Sequence, residues 1–180
     1  MNKFAEEYIS KNIIKVLRKI NIKKDQKILD CCSGEGNYTL PVAVVVGEKG
    51  LVYALDRDKE KLISLKKKSD MKKFKNIKII KKEFESRIPL SAKSIDVVLL
   101  FDIFWYFSLE DERLTKLLDE VYRILKDNAM VSVYPEHIDT EKLKEKIEDA
   151  RFWLEDNFYE TIIHENNFKK GRILNFRKIV

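Results

Sequence analysis

Short apolar runs that end in an acidic residue alternate with helical patterns along this chain. One such run ends at Asp30, and another, residues 51–55, ends at Asp56. Between them, a turn of small residues at 31–36 leads into a third apolar run at 40–46. Strands of a parallel sheet are buried on both faces, so they read as continuous apolar runs, and a helix must connect two of them. This stretch therefore predicts strand, turn, helix and strand, in that order.

The rest of the chain continues the alternation of helices and strands. Apolar residues recur there at helical spacing or alternate as they do in strands. Thr140 is predicted to cap the last helix, and turns are predicted at Asp127-Asn128 and at residues 166–171. The further predicted helices are 4–20, 58–71, 109–125 and 140–150, and the further predicted strands are 76–81, 94–101, 129–134, 152–154, 159–164 and 172–178.

The turn of small residues has the composition of a ligand site. Its glycines, Gly34 and Gly36, let the backbone approach a ligand closely, and the helix behind them offers free N–H groups to a negatively charged group. Asp56 follows Gly36 by twenty residues, where an acid can accept hydrogen bonds from a ribose. A dinucleotide site also requires a third glycine, but Thr39 stands at that position.

The spacing fits the pattern Asp-x-(small)-x-Gly-x-Gly better, and in this form it resembles motif I of the class I S-adenosylmethionine-dependent methyltransferases. Residues 38–56, 94–101 and 120–126 are also similar to that family, and Cys32 replaces its usual first glycine. The resemblance implies one domain over residues 1–180 with a leading helix at 1–20. It also implies a doubly wound, seven-stranded α/β sheet (Rossmann-like), mostly parallel with an antiparallel C-terminal strand.

The same resemblance implies S-adenosyl-L-methionine as the cofactor. Asp30 would order the glycine turn, Glu83 would accept a hydrogen bond from the adenine amino group, and Phe84 would cover the adenine face. Glu83 also fits the description of a surface acid among lysines. The residues expected to bind the cofactor are Asp30, Cys32, Ser33, Gly34, Gly36, Asn37, Asp56, Arg57, Glu83, Phe84 and Phe101.

The implied reaction is displacement at the methyl carbon of a sulfonium, for which alignment of the nucleophile can suffice. Where a proton must leave, a base near the crevice is required, and position nominates Asp102, Tyr106 and His137. Asp102 could instead contact the methionine ammonium, and His137 could be a solvent-facing loop residue. The aromatic residues of 101–107 predict either an apolar floor for the substrate or packing beneath the next helix.

Composition favours a globular protein without a membrane segment. The 180 residues suffice for one domain, 44% of them are apolar, and no apolar run approaches the roughly 20 residues of a membrane span. The N-terminus lacks the apolar core of a signal peptide. Cys31 and Cys32 are adjacent and cannot form an ordinary disulfide, which favours a reduced, cytoplasmic setting. His137 and His164 lack metal-ligand spacing, so no metal site is predicted.

Lys and Arg exceed Asp and Glu by 36 to 30, and lysines concentrate in residues 59–82. A nucleic-acid surface is one interpretation, but a solvated face of a Lys/Glu/Ile-rich protein of thermophilic character is favoured. The leading hypothesis is methyl transfer to a small or lipophilic acceptor. The alternatives are an RNA or protein methyltransferase and a non-catalytic cofactor-binding partner of another protein. The sequence also leaves open a homo-oligomer or a partner subunit that completes the pocket. An oxidoreductase is disfavoured because of Thr39.

Overall fold

The computed structural model describes residues 3–83, 87–164 and 167–180, with side chains from Lys11 onward. The helices are α1 (Lys3–Lys19), α2 (Thr39–Val46), α3 (Lys59–Met71), α4 (Glu112–Ile124) and α5 (Thr140–Asp149), with one 3-10 turn at Phe104–Tyr106. The strands are β1 (Lys27–Cys31), β2 (Leu51–Asp56), β3 (Ile77–Lys81), β4 (Ile95–Leu100), β5 (Leu125–Val133), β6 (Phe152–His164) and β7 (Asn167–Lys178). Among the described helices, none combines the length and apolar character needed to cross a membrane.

The seven strands form one sheet in the order β3-β2-β1-β4-β5-β7-β6. β1 to β5 pair in parallel, whereas β7 runs antiparallel to both of its neighbours, β5 and β6. The predicted doubly wound sheet with an antiparallel C-terminal strand is therefore confirmed. The strand order reverses between β1 and β4, and in open sheets the ligand crevice lies at the carboxyl ends of the strands at such a reversal.

Alternate side chains of the central strands supply two separate cores, because successive residues of a strand point to opposite faces of the sheet. In β1, Ile28 belongs to the core formed with α1 and α2, and Leu29 to the core formed with α4 and α5. In β4, Val97 and Val98 divide in the same way. Helices thus cover both faces of the sheet, which explains why its strands read as continuous apolar runs.

The start of one helix and the cap of another differ from the prediction. The helix predicted from Leu109 begins after Asp111, because the Asp111 carboxylate accepts a hydrogen bond from a backbone N–H in the first turn at 2.8 Å. The predicted cap of α5, Thr140, is the first helical residue instead, and Asp139 caps the helix by accepting two backbone N–H groups. A carboxylate that accepts these otherwise unpaired N–H groups decides where a helix starts.

The turn predicted near Asn128 lies within β5 rather than before it. Ile95 pairs with Leu125, but Val97, two residues on, pairs with Met130, so β5 holds extra residues at this point. Asn128 has a φ of +58°, a left-handed conformation that asparagine tolerates. The strand therefore absorbs the turn as a bulge.

The C-terminal hairpin is longer than predicted. β6 is continuous apart from an irregularity after Leu154, and β7 begins at Asn167. The turn predicted at 167–171 is therefore wrong, because these residues pair with Glu160–His164, while Asn166 lies outside the described residues. Residues 167–170 of β7 are exposed. Backbone pairing holds them without an alternating apolar pattern, so the sequence carried little strand signal.

The outer half of this hairpin extends past the sheet. β5 pairs with β7 only over Leu174 and the neighbouring positions to Arg177, so residues 158–164 and 167–173, named here the hairpin arm, pair only with each other. Ile162 and Ile163 of the arm are buried in the core that contains α1 and α2. The arm therefore folds back toward the centre of the molecule.

The arm crosses closely over Tyr134, and this contact can be tested at Gly171. A Cβ added at Gly171 would lie 2.4 Å from Cε2 of the Tyr134 ring, which is only 1% exposed. We expect Gly171→Ala to lower the free energy of unfolding by about 1–3 kcal/mol, as overpacking does. The neighbouring surface change Lys170→Ala should alter it by less than about 0.5 kcal/mol. Equal urea-unfolding midpoints for the two variants would contradict this close approach.

Candidate functional site

A crevice of about 460 Å³ opens at the carboxyl ends of β1 and β4, where the strand order reverses. This volume is typical of small-molecule sites. Eight of its thirteen lining residues are among those that the sequence predicted for the site. The lining residues are Cys32, Ser33, Gly34, Glu35, Asn37, Tyr38, Asp56, Lys61, Phe101, Asp102, Trp105, Tyr106 and His164.

The Asp56 carboxylate holds the glycine turn in place. One oxygen accepts the Gly34 N–H at 2.8 Å and the other accepts the Asp58 N–H at 2.9 Å. Each oxygen retains a lone pair that can accept a ligand hydroxyl. Cys32, at the position of the usual glycine, has a φ of +67°, so it adopts the backbone conformation that glycine would supply. The replacement therefore leaves the path of the turn intact.

Asp30 orders the turn from beneath and does not line the crevice. Its carboxylate accepts the Thr39 hydroxyl at 2.5 Å, and both residues are buried. Burial raises the pKa of Asp30 to about 7. The Thr39 hydrogen bond opposes this shift, and the nearby Asp56 charge adds to it. The residue that breaks the dinucleotide pattern, Thr39, is thus the partner that anchors Asp30.

Two small polar residues face the crevice from the turn. The Ser33 hydroxyl is buried and has no hydrogen-bond partner within the described parts of the chain. Burial raises the pKa of the Cys32 thiol well above its usual value, so Cys32 is a neutral thiol near pH 7. A buried hydroxyl without a partner is rare in proteins, and Ser33 is therefore available to a polar group of a ligand.

The aromatic segment is divided between the crevice and the core, the two locations that the sequence left open. Phe101, Trp105 and Tyr106 line the crevice, whereas Phe104 and Phe107 are buried in the core beneath α4. The short 3-10 turn explains this division, because it points neighbouring side chains in different directions. The sequence alone could not assign individual rings to the crevice or to the core.

A hydrogen-bonded chain of three side chains lies at one end of the crevice. Asp102 Oδ1 and His164 Nδ1 are 2.6 Å apart, and His164 Nε2 and His137 Nε2 are 3.0 Å apart. Burial raises the pKa of Asp102, while its hydrogen bond to His164 opposes that shift. Asp102 and His137 have φ values of +54° and +67°, which are uncommon for residues other than glycine and cluster at functional sites.

The sequence did not identify His164 as a site residue, because its partners Asp102 and His137 are distant in sequence and no local motif connects them. The strand that carries it, β6, runs in the same direction as β1 to β5, so its carboxyl end can reach the edge of the sheet that holds the crevice. The Tyr38 hydroxyl accepts the Ile163 N–H at 3.1 Å and donates to the Ile163 carbonyl at 2.6 Å. These bonds fix the neighbouring His164 beside Asp102.

Glu136 joins the two histidines to form a group of metal-ligating type. One ligand atom from each of Glu136, His137 and His164 lies within 4.8 Å of the others. The histidines are 27 residues apart in the sequence. No short-range spacing signal could therefore have revealed that the fold brings them together.

Several predicted residues lie near the crevice without lining it. Gly36 has a φ of +92°, and a Cβ there would lie 2.4 Å from Leu65 Cδ1, so it allows the turn to pack on α3. The Arg57 guanidinium lies 4.5 Å from the centre of the Tyr106 ring. Glu83 is exposed at the carboxyl end of β3, and its role toward adenine stays a prediction. The predicted adenine contact Phe84 lies outside the described residues.

The raised pKa of Asp30 makes a prediction about stability against pH. Between about pH 4 and 7 the folded protein keeps a proton that the unfolded chain has lost, so stability should fall as pH rises through this window and then level off. We expect Asp30→Asn to remove this loss, which is on the order of 4 kcal/mol. Thermal or urea unfolding across the window measures it, with the exposed Asp70→Asn as control. Parallel pH profiles for wild type and Asp30→Asn would contradict the shift.

Comparison with known proteins finds curated relatives that match part of this chain. Over 117 residues it is 30% identical to the demethylmenaquinone methyltransferase of Geobacillus sp. (strain WCH70), covering 64% of this chain and 47% of that protein. Over 86 residues it is 39% identical to a Saccharolobus solfataricus protein named "Probable cobalt-precorrin-6B C(15)-methyltransferase (decarboxylating)", covering 47% and 43%. The chain spans about half the length of the curated relatives it matches.

A solved structure shows the same fold over nearly the whole chain. The SAM-dependent methyltransferase from Aquifex aeolicus superposes with a TM-score of 0.77 at 23% identity, covering 93% of this chain and 90% of that one. The family model described as "Methyltransferase domain" matches residues 22–178, which contain every crevice residue described above. The resemblance that the glycine turn indicated is thereby confirmed, and the chain belongs to this family of methyltransferase domains.

Proposed function

We propose that this protein transfers a methyl group from S-adenosyl-L-methionine to a small, lipophilic or aromatic acceptor. One observation carries the proposal: the crevice has two unlike halves that meet at one edge of the sheet. The first half is the glycine turn with Asp56, which suits a nucleoside. The second is an aromatic wall beside Asp102 and His164, which suits a flat, largely apolar molecule with a polar group.

The chain's own residues support the cofactor. Gly34 leaves open space where a Cβ would lie, Asp56 keeps lone pairs for ribose hydroxyls, and the buried Ser33 hydroxyl lacks a partner in the described chain. Asp102 lies where it can meet the methionine ammonium from the other side of the crevice. The cofactor supplies a methyl group that is already activated on a sulfonium, so the chain's task is to orient it.

The acceptor half combines an aromatic wall with a polar end. Trp105 is half exposed at this wall, and the Tyr106 ring carries the Arg57 guanidinium on its face. We assign activation of the acceptor to Asp102 and His137 acting with His164, and contact with the acceptor ring to Tyr106. The relatives' names, which specify demethylmenaquinone and cobalt-precorrin-6B, support an acceptor of small-molecule size.

The position of the basic surface favours a small acceptor over RNA. Lys72, Lys73 and Lys75 precede β3, so they lie at the amino edge of the sheet, whereas the crevice lies at the carboxyl edge. The five residues of β3 separate the two edges by about 17 Å. Lys61 lines the crevice, and Lys68 pairs with the lining residue Glu35 at 2.7 Å. The lysines of 59–82 are therefore divided between the two edges rather than gathered at the crevice.

The cofactor assignment predicts different effects of two substitutions in the turn. Ser33→Ala should weaken binding of S-adenosylmethionine about three- to tenfold while leaving the free energy of unfolding unchanged, because the lost hydroxyl has no partner in the described chain. Asp56→Asn should weaken binding tenfold or more, about 1.4 kcal/mol. Calorimetric titration measures both, and Asp70→Asn on the exposed side of α3 is the charge-matched control. Absence of binding to the intact protein would contradict the assignment.

The acceptor assignment predicts which class of molecule is methylated. With methyl-labelled cofactor, we expect label in a reduced naphthoquinone and none in bulk RNA or protein. Trp105→Ala should raise the acceptor KM about tenfold, on the order of 1.4 kcal/mol, without changing cofactor affinity.

Three lysines provide the control for the RNA alternative. Changing Lys72, Lys73 and Lys75 together to glutamine should leave transfer to the naphthoquinone unchanged. Label in RNA that disappears in this triple variant would overturn the small-molecule proposal. Cofactor binding without transfer to any acceptor class would favour the non-catalytic alternative.

A further inference from the structure

We propose that Glu136, His137 and His164 bind a divalent first-row transition-metal ion, such as Zn²⁺, at the acceptor end of the crevice. Binding of the ion depends only on these side chains and their neighbours. Its use in activating the acceptor rests on the proposed function. The site lies at the end of β5 and of the hairpin arm, outside the glycine turn that marks the cofactor half.

The two imidazole rings already face each other as ligands would. His137 Nε2 and His164 Nε2 are 3.0 Å apart. Two nitrogens bound to one tetrahedral zinc, each about 2.1 Å from the ion, lie about 3.4 Å apart. A shift of a few tenths of an ångström would therefore give the two nitrogens this separation, and the exposed ring of His137 has room to make it. The three ligand atoms lie within 4.8 Å of one another, so the Glu136 carboxylate must move closer to bind the same ion.

The Asp102 carboxylate fixes the tautomer of His164 that can bind a metal ion. The carboxylate lies 2.6 Å from His164 Nδ1, so that nitrogen carries the proton and Nε2 presents its lone pair toward His137. A carboxylate on the far nitrogen of a ligating histidine is the usual outer support of a metal site, because it fixes the tautomer and makes the ligand more basic. His164 is also nearly fully buried, which limits its alternatives.

Glu136 supplies the third ligand and negative charge. Its carboxylate contacts the Tyr134 hydroxyl through one oxygen and the Lys169 ammonium through the other, and each oxygen retains a lone pair. Lys169, about half exposed, supplies a positive charge where the ion would supply one. Lys169 therefore competes with the ion for the Glu136 carboxylate, and the ion must displace the ammonium or bind beside it.

The ligand set selects the kind of metal. Two imidazoles and one carboxylate suit Zn²⁺ and its first-row neighbours, whereas Mg²⁺ and Ca²⁺ prefer oxygen ligands throughout. Three protein ligands leave a coordination position open, as in catalytic zinc sites. The Trp105 ring lies over His137 with ring centres 3.6 Å apart, so it restrains that ligand.

An ion held here would activate a hydroxyl or enol of the acceptor. Coordination of the acceptor oxygen lowers its pKa, so its proton passes to solvent and the oxygen or its conjugated carbon becomes the nucleophile. That atom forms the new bond to the methyl carbon, the carbon–sulfur bond breaks, and the sulfur keeps the electron pair as a neutral thioether. No oxidant or reductant is required.

The test is metal binding without cofactor or acceptor. Tag-free protein at pH 7.5 is titrated with Zn²⁺ by calorimetry and with Co²⁺ by visible absorption. We expect one ion per chain with micromolar or tighter affinity, and a Co²⁺ spectrum of nitrogen and oxygen ligands. The sequence contains only two histidines, His137 and His164, so a histidine-dependent signal has a single source.

Matched variants separate the proposed site from incidental binding. His137→Ala and His164→Asn should each lower the affinity at least 100-fold, and Asp102→Asn, which acts through His164, by 10- to 100-fold. Lys169→Ala should raise it by removing the competing charge, and Glu145→Gln, an exposed acid on α5, should leave it unchanged. Circular dichroism confirms that each variant is folded.

The possible results also separate this inference from the proposed function. No binding, or equal binding by wild type and the His137→Ala/His164→Asn double variant, overturns the metal site even if methyl transfer is observed. Stoichiometric, histidine-dependent binding supports the site even if no acceptor is methylated. If removal of zinc abolishes methyl transfer and added Zn²⁺ restores it, the bound ion takes part in the proposed reaction.

Discussion

The two hydrogen bonds between the Tyr38 hydroxyl and the Ile163 backbone hold the two halves of the crevice together. Tyr38 stands at the start of α2, directly behind the glycine turn, and Ile163 precedes His164 in the hairpin arm. One phenol therefore joins groups 125 residues apart in the chain. Both partners are buried, so without the phenol the Ile163 N–H and carbonyl would lose their partner away from water, which is costly. Burial also raises the pKa of Tyr38, which keeps it a neutral donor.

Three of the nine non-glycine residues with positive φ in the described chain lie around the same crevice. Cys32, Asp102 and His137 all have positive φ values, and each follows the carboxyl end of a parallel strand. A residue in this conformation persists only where its surroundings hold it. Here the sheet fixes the strand ends, and the contacts of Asp102 and His137 with His164 oppose relaxation. The positive φ values of Asp102 and His137 therefore orient these two side chains toward His164.

The two walls of the crevice differ in chemistry because different parts of the chain form them. The glycine turn, Asp30 and Asp56 form a rigid backbone cradle whose hydrogen bonds are almost all internal, and the Ser33 hydroxyl is left for a ligand. The opposite wall consists of side chains from the 3-10 turn, the end of β5 and the hairpin arm. The first wall consists of residues close together in sequence, whereas the second depends on contacts distant in sequence. Under the proposed function, the second wall selects the acceptor.

The sequence by itself determined the sheet, the glycine turn and most of the cofactor half. These features are local: apolar periodicity, turn residues and strand-end acids act within about thirty residues of one another. Only the tertiary structure decided the length of the hairpin arm, the division of the aromatic residues and the meeting of Asp102, His137 and His164. The physical reason is that the arm is held by backbone pairing and by the close approach of Gly171 to Tyr134. Neither of these interactions leaves a periodic pattern in the side chains.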